Sequence, residues 1–158
     1  MKSESVVTLR YFKPDDQDAV KDLILAGLAE HWGELDLTMN PDLNDIATSY
    51  ADAVFIVGEL ADRIIGVGAL VPRSAEEAEI VRMSVDSDLR RSGIGRQILQ
   101  RLCDEGRQMG LSRIILETTI TWDGVIAFYQ RFGFQITHYE ESPFGRDVYF
   151  ALDLKKTE

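Results

Sequence analysis

The sequence predicts an α/β chain whose sheet is mixed (α+β), with about seven mostly antiparallel strands and about four helices. Three observations support this prediction. β-rich runs alternate with segments of helical periodicity, one tight antiparallel hairpin interrupts the alternation, and two strand-helix-strand crossovers follow it. A length of 158 residues suits one domain, and a hydrophobic content of 45% can supply its core. We therefore expect residues 1–158 to form a single domain.

The N-terminal third predicts one strand and two helices. Val6–Phe12 is β-rich, and an acidic pair after Pro14 suits a helix N-terminus. The apolar face of that helix consists of Val20, Leu23, Ile24, Gly27 and Leu28. The pattern breaks over residues 30–40, and a short second helix is expected over residues 41–50. The irregular stretch between the two helices is a candidate substrate loop.

The rest of the chain alternates strands with two further helices. The predicted strands are Val54–Leu60, Arg63–Val71, Glu79–Val85, Arg113–Thr119, Phe134–Tyr139 and Asp147–Leu154. Ala61-Asp62 separates the first two of these and predicts the tight hairpin. The predicted helices are Gly93–Met109 and Asp123–Phe132, ended by Gly110 and Gly133. The element order is β-α-α-β-β-β-α-β-α-β-β, without internal repeats.

The charge of the chain is strongly acidic. There are 17 Lys and Arg residues against 27 Asp and Glu residues, a formal net charge of −10. Such a charge repels polyanions and favours cationic partners, so nucleic-acid binding is not expected. The alternative is that the acidic surface serves mainly to keep the protein in solution.

Cysteine and apolar content restrict the class of protein further. Cys103 is the single cysteine, which excludes an intramolecular disulfide and a cysteine-based zinc site, and its place in a helical apolar stripe indicates core packing. His31 and His138 have no ligand partners nearby in the sequence, so no metal site is expected. No apolar run approaches the roughly 20 residues of a membrane span, and no signal-peptide core is present. We expect a cytoplasmic protein without a membrane partner.

A glycine-bearing loop before the third helix predicts an anion site. Gly93 and Gly95 let backbone N–H groups approach an anion, and the helix dipole adds partial positive charge. Arg90, Arg91 and Arg96 can add charge-assisted contacts to phosphate oxygens. The alternative for a lone Gly-x-Gly is a loop that only turns a corner.

Two common nucleotide-binding motifs do not match this loop. A P-loop requires Gly-Lys followed by Ser or Thr, which is missing. A dinucleotide fingerprint requires a third glycine where Ile98 stands. An oxidoreductase that uses a dinucleotide is therefore a weaker alternative.

A second feature lies downstream, where residues 128–134 end the fourth helix with Phe-Tyr-Gln-Arg-Phe-Gly-Phe. Together the two features resemble the GNAT superfamily of N-acetyltransferases. The first signature of that family is (Gln or Arg)-x-x-Gly-x-(Gly or Ala), matched by Arg90, Gly93 and Gly95. The second is a Tyr four residues before a Gly-Phe pair, matched by Tyr129, Gly133 and Phe134. The element order agrees with the family over residues 6–154.

The resemblance implies a binding mode for acetyl-coenzyme A (acetyl-CoA) as cosubstrate, without a metal. The backbone of Ser92, Gly93, Ile94 and Gly95 would hold the diphosphate. The strand segment Met83, Ser84 and Val85 would pair with the pantetheine arm. The fourth and fifth strands of the family splay apart to admit the thioester, and here they are Glu79–Val85 and Arg113–Thr119.

The resemblance also implies a direct transfer of the acetyl group to the primary amine of a small molecule or peptide. An amine with a pKa near 10.4 must lose a proton before it attacks. Glu79 matches the place of a glutamate that is the general base in some family members. The alternative is a strand carboxylate that is solvated or salt-bridged, with Arg82 as the candidate partner.

Tyr129 is the candidate general acid that protonates the thiolate leaving group, whose pKa is about 8.5. The alternative is an aromatic side chain that packs on the apolar face of its helix, where the hydroxyl merely finds a partner. The family often has an Asn seven residues before this Tyr, and here that position is Trp122. Trp122 either stacks against the cofactor or fills the core.

Substrate recognition is predicted from acidic and aromatic residues. The candidates in the loop that often shapes the acceptor site of the family are His31, Trp32, Glu34, Asp36 and Asp42, and Glu140, Glu141 and Asp147 flank the last loop. Such a rim suits a cationic amine, although a solvated loop with Trp32 packed as a lid explains the same residues. Family members are often dimers, so a homodimer is an expectation of the resemblance alone. A noncatalytic acyl-CoA sensor on the same fold is the main alternative function.

Overall fold

The computed structural model describes residues 6–33, 38–119, 123–143 and 145–154, except for the side chains of residues 31, 32 and 123. The strands are β1 Thr8–Tyr11, β2 Val54–Leu60, β3 Arg63–Pro72, β4 Glu77–Val85, β5 Arg113–Thr119, β6 Gln135–Ser142 and β7 Gly145–Asp153. The α-helices are α1 Gln17–Trp32, α2 Ile46–Ser49, α3 Ile94–Gln108 and α4 Asp123–Phe132. Short 3₁₀ turns span Pro14–Asp16, Pro41–Asn44 and Ser87–Leu89.

The seven strands form one mixed sheet in the order β1-β2-β3-β4-β5-β7-β6. β2 pairs antiparallel with β1 and β3, and β7 pairs antiparallel with β5 and β6. β4 and β5 are parallel, and their register covers only Glu77–Glu79 against Arg113–Ile115. Both strands run on past this register, to Val85 and Thr119, as expected for splayed strands. The predicted fold class is confirmed.

The chain divides into two compact units. The first comprises residues up to Val71 together with Val81–Leu102, and the second comprises Pro72–Ile80 together with the residues from Cys103 onward. One core cluster of the first unit consists of Val20, Ile24, Leu43, Ile46, Phe55, Val57, Val67 and Ala69. Buried apolar residues of the second unit include Leu111, Ile114, Leu116, Phe134, Val148, Phe150 and Leu154. The prediction of a single domain stays a prediction.

Close helix-sheet packing in the first unit depends on two glycines of β3. A Cβ at Gly66 would lie 2.7 Å from Ile98 Cδ1, and a Cβ at Gly68 would lie 3.0 Å from Ile98 Cγ2. The first turns of α3 therefore rest directly on the backbone of β3. Because the glycine-bearing loop opens α3, this packing also sets the position of the loop.

Most predicted boundaries agree with the structure to within two residues, but the end of α1 and the connection between β6 and β7 differ from the prediction. α1 continues to Trp32 and ends at Gly33, whose φ is 81°, so the predicted break at Glu30 is wrong. The helical hydrogen bonds continue past Leu28, the last residue of the predicted apolar face. Gly33 is the first residue that leaves the helical conformation. β6 continues to Ser142 and β7 begins at Gly145, so the connection between these two strands is shorter than predicted. Within the described residues, no helix is long and apolar enough to cross a bilayer.

Candidate functional site

The loop from Arg90 to Gly95 has the backbone of an anion cradle. Arg91 and Gly93 have φ values of 68° and 93°, which turn successive peptide groups towards one side. A Cβ at Gly93 would meet no described atom within 4 Å, so the loop surface is open there. Gln97 N–H donates to Gly93 C=O at 3.0 Å at the start of α3. The N–H groups in the first turn of a helix are not used by the regular hydrogen bonds of the helix. These amides are suited to bind an anion.

The arginines of the loop differ in their surroundings. Arg90 pairs with Glu30, and its Nε donates to Val85 C=O at 3.3 Å. Arg91 and Arg96 are exposed. Ser92 donates its hydroxyl to Leu89 C=O, which closes the base of the loop. Arg90, whose side chain is 45% exposed, therefore ties the loop to α1 and to the end of β4 through these two contacts.

The segment Met83, Ser84 and Val85 is half-buried and held in place on the first unit. Met83 Sδ lies 2.5 Å from the position of a Cβ built on Gly68. The N–H of Asp86, directly after the segment, donates to Ile65 C=O at 2.8 Å. The strand that the resemblance assigns to the pantetheine arm is thus fixed by packing at its start and by a backbone hydrogen bond at its end.

Glu79 has a different ion-pair partner from the one predicted. Arg73 lies 2.7 Å from the Glu79 carboxylate, whose side chain is 18% exposed. Arg82 instead forms an ion pair with Asp42 at 2.7 Å. In the alternative of a salt-bridged Glu79, Arg82 is therefore the wrong partner, and Arg73 is the partner that the structure shows.

Tyr129 lies on the buried face of α4 and is 6% exposed. Its ring centroid lies 5.1 Å from that of Phe128 and 5.8 Å from those of Phe134 and Phe150. Burial raises the pKa of the Tyr129 hydroxyl above its ordinary value of 10.0, so the group stays protonated. A protonated hydroxyl in an apolar surrounding is compatible with proton donation, and the role of Tyr129 stays a prediction.

Glu117 was missed by the sequence reasoning and stands out in the second unit. It is the one acidic residue of β5. It lies two residues after Ile115, which pairs with Glu79 at the end of the β4–β5 register. Glu117 lies opposite Tyr149 on β7, next to the Thr119–Asp147 pair. Since alternate strand residues share a face, Glu79, Glu117, Tyr149 and Asp147 all lie on one face of the sheet. The available signal was a single carboxylate in a strand that otherwise holds Arg113, apolar residues and two threonines.

The carboxylates on this face influence one another. Although Glu117 is exposed on β5, partial desolvation raises its pKa above the ordinary value of 4.5. The charges of Asp147, Glu79 and Glu140 add to the rise, and a hydrogen bond from Tyr149 opposes it. Burial and the same negative surroundings raise the pKa of Tyr149 to about 12. A raised pKa suits the Glu117 carboxylate to accept a proton.

The predicted acceptor residues are only partly testable. Glu34, Asp36 and Trp122 lie outside the described residues, and His31 and Trp32 end α1 with side chains that are not described. Asp42 lies in the 3₁₀ turn Pro41–Asn44, bound to Arg82 and Tyr50. Across the second unit, Glu140 contacts His138 at 3.1 Å and Glu141 contacts Arg146 at 2.9 Å. The described part of the chain holds no cluster of three or more potential metal ligands.

Comparison with known proteins gives consistent matches in sequence. The model of the acetyltransferase (GNAT) family matches residues 18–134. The chain is 34% identical over 131 residues to IAA acetyltransferase of Azospirillum brasilense, with 82% of each protein covered. It is 33% identical over 115 residues to N-acetyltransferase 8 of Homo sapiens, with 67% of this chain covered. That alignment spans 51%, about half, of the human protein's length.

Solved structures show the same fold. A GNAT-family acetyltransferase from Staphylococcus aureus Mu50 superposes with a TM-score of 0.83 and 18% identity, covering 95% of this chain and 100% of the other. YncA from Salmonella typhimurium, solved with its cofactor acetyl-CoA, gives a TM-score of 0.79 and 18% identity at 96% and 95% coverage. PaiA N-acetyltransferase from Thermoplasma acidophilum, in complex with coenzyme A, gives 0.78 and 14% at 94% and 99%.

Proposed function

The chain belongs to the acetyltransferase (GNAT) family, and on that premise we propose that it transfers an acetyl group from acetyl-CoA to a primary amine. The observation that carries the proposal is the open loop of Arg90–Gly95 at the start of α3. Relatives whose names denote N-acetyltransferases support an amine as acceptor. The acceptor would be a small molecule or a peptide.

The residues of the first unit fit the binding of acetyl-CoA. The cosubstrate supplies an acetyl thioester. The amides of Ser92–Gly95 would bind the diphosphate, and Arg91 and Arg96 lie at the exposed surface beside them. The open space at Gly93 leaves room for phosphate oxygens. Met83–Val85 would bind the pantetheine arm through its backbone. Fold neighbours solved with acetyl-CoA or coenzyme A support this assignment.

A carboxylate of the second unit would accept the proton of the amine. Glu79 is the residue predicted for this role, and its carboxylate forms an ion pair with Arg73 at 2.7 Å. Glu117 lies on the same face, and partial desolvation raises its pKa. We assign the proton to the Glu117 carboxylate, with Glu79 as the charged neighbour that keeps the Glu117 pKa high.

Tyr129 would protonate the departing thiolate. Burial raises the Tyr129 pKa above its ordinary value of 10.0, so its hydroxyl carries a proton at neutral pH. The thiol of coenzyme A is expected to have a pKa near 8.5, so its departure needs only modest help. Cys103 is buried, and burial raises its pKa to about 12, which disfavours a thiolate nucleophile on the protein. Direct attack by the amine is therefore the proposed route.

A cationic acceptor suits the charge of the second unit. Glu117, Glu140 and Asp147 lie close enough to one another to raise the Glu117 pKa. The whole chain carries a formal charge of −10, which attracts cations over long distances. We propose that a protonated amine approaches this acidic face before it loses its proton.

A free-thiol release assay with acetyl-CoA tests the proposed function. The acceptor panel contains polyamines, aminoglycosides, amino acids and peptides, and IAA as the acceptor suggested by the name of one relative. We expect release with at least one amine and little with the others. No release with any amine, together with tight binding of acetyl-CoA, would favour a sensor over an enzyme.

A further inference from the structure

A left-handed residue interrupts β4 directly before the segment Met83–Val85. Arg82 has a φ of 58°, a conformation that costs a residue with a side chain more than it costs glycine. Up to Ile80, half-buried and buried residues alternate along β4, and from Val81 onward every residue is half-buried. The turn at Arg82 therefore changes which way the following peptide groups face, as a bulge does.

The guanidinium of Arg82 donates hydrogen bonds to two side chains, those of Asp42 and Asn40. Its Nε and Nη2 donate to the two oxygens of Asp42 at 3.1 and 2.7 Å, and Nη2 also donates to Asn40 Oδ1 at 3.1 Å. The two side chains are 19% and 29% exposed, which limits screening by water. A planar guanidinium held by two parallel bonds has little freedom to rotate.

Tyr50 completes the group by donating its hydroxyl to Asp42 Oδ2. Burial alone would raise the pKa of Asp42, but the hydrogen bonds from Arg82 and Tyr50 outweigh it and lower that pKa. The Asp42 carboxylate is therefore charged at neutral pH. We call Asn40, Asp42 and Tyr50 the Arg82 clamp. All three come from the chain between α1 and β2, and Asp42 and Asn40 are 40 and 42 residues from Arg82 in sequence.

We propose that Asp42 is a positioning residue whose clamp holds Arg82 left-handed and thereby aligns Met83–Val85 for acetyl-CoA binding. The inference rests on the proposed function, because the role of Met83–Val85 comes from it. Packing fixes the Met83 side chain over Gly68, but it does not set the peptide groups at Arg82. The Arg82 clamp supplies that constraint.

Glycine substitution separates backbone positioning from a direct contact. Arg82→Gly loses the side chain but adopts a φ of 58° without strain, whereas Arg82→Ala loses the side chain and keeps the strain. The Kd of coenzyme A should rise about tenfold in Arg82→Ala and Asp42→Asn, and about twofold or less in Arg82→Gly. The kcat should change by about twofold or less in all three variants. Titration calorimetry with coenzyme A and steady-state kinetics measure these quantities.

The chain offers a matched control. Arg10 also forms a two-oxygen pair with an aspartate of the first unit, Asp16, at 2.8 and 3.0 Å. Asp16→Asn removes a comparable pair that lies on β1 and its following turn, so it should leave the Kd of coenzyme A unchanged. A double variant, Asp42→Asn with Arg82→Gly, should bind coenzyme A as Arg82→Gly does, because glycine needs no clamp.

Three results would overturn the inference while leaving the proposed function intact. These are an unchanged Kd of coenzyme A in Asp42→Asn, a rise confined to the KM of the amine, and equal defects in Arg82→Gly and Arg82→Ala. Thermal unfolding of each variant shows whether it is folded. If Asp42→Asn does not fold, the Kd values of coenzyme A for Arg82→Gly and for the double variant test the inference instead. Wild-type protein that fails to bind coenzyme A would remove the proposed function, and the inference with it.

Discussion

At the scale of single residues, the proposed chemistry depends on the protonation states of Glu117 and Tyr129, which their surroundings set. Glu117 must be a carboxylate to accept a proton, and Tyr129 must be a phenol to donate one. Desolvation raises both pKa values, with negative neighbours adding to the rise at Glu117. A raised pKa suits Glu117 to accept a proton, whereas Tyr129 stays protonated with a pKa above its ordinary value of 10.0, and its role as proton donor rests on the family match.

Glu117→Gln should lower kcat with the best amine by about a hundredfold, because the variant cannot accept the proton. In wild-type enzyme, kcat should fall as the pH drops through the raised pKa of Glu117. Glu79→Gln should shift that acid limb to lower pH, since it removes a charge that raises the Glu117 pKa. A pH–rate profile of the three proteins checks this. A larger loss in Glu79→Gln than in Glu117→Gln would return the base to Glu79.

Tyr129→Phe should lower kcat by about a hundredfold and leave the Kd of coenzyme A nearly unchanged. The ring contacts with Phe128, Phe134 and Phe150 are kept, so the fold should persist. Tyr139→Phe is the control, because Tyr139 is 50% exposed on β6. If Tyr129→Phe turns over as wild type does, Tyr129 is a packing residue only.

Asp16 gives a test of residue-level electrostatics in stability. Burial alone would raise its pKa, but hydrogen bonds from Arg10 and the Lys13 N–H outweigh it and lower the pKa below 3.8. The stabilisation is therefore present above that ordinary value and is lost as the pH falls through the folded-state pKa. Asp16→Asn should cost about 1–3 kcal/mol at neutral pH. The difference in the free energy of unfolding between wild type and Asp16→Asn, measured in urea, should become smaller below pH 3.8. A difference that does not change with pH would contradict the assignment.

At the scale of elements, the position of α3 decides where the anion loop lies. Gly68→Ala would place a Cβ 2.5 Å from Met83 Sδ, 3.0 Å from Ile98 Cγ2 and 3.1 Å from Leu102 Cδ1. We expect a loss of about 1–3 kcal/mol in the free energy of unfolding, measured in urea. Gly27→Ala is the control in the middle of α1, where a Cβ meets only Ser84 Oγ at 3.9 Å. The control should not be destabilised, because Ala favours a helix. Equal effects of both changes would argue against close packing at β3.

Elements with strong local signals were predicted well. β2, β5 and α4 have the predicted boundaries, because apolar periodicity and the turn residues Ala61-Asp62 act locally. Those two turn residues have φ values of 50° and 66°, as a tight hairpin requires. The Arg82–Asp42 pair was missed because its members are 40 residues apart. Glu117 was missed because its neighbours Tyr149 and Asp147 meet it only through strand register.

At the scale of the whole molecule, the net charge supports the proposal of a cationic acceptor. The chain carries a formal charge of −10, and several acidic residues share one face of the second unit. The KM of a polyamine should therefore rise as ionic strength increases from about 0.01 to about 0.15 M, since salt screens surface charges. A neutral peptide acceptor should show a much flatter dependence. Steady-state kinetics across a salt series measure this, and a KM that is insensitive to salt would exclude steering by charge.

The central claim is that this family member moves an acetyl group from acetyl-CoA to an amine nitrogen. Isotopically labelled acetyl-CoA tests it most directly, with mass spectrometry of the best acceptor found by thiol release. We predict that the label appears in an amide on the acceptor, in equal amount to the coenzyme A released. Release of coenzyme A with the label in acetate, in an ester or on the protein would contradict the claim.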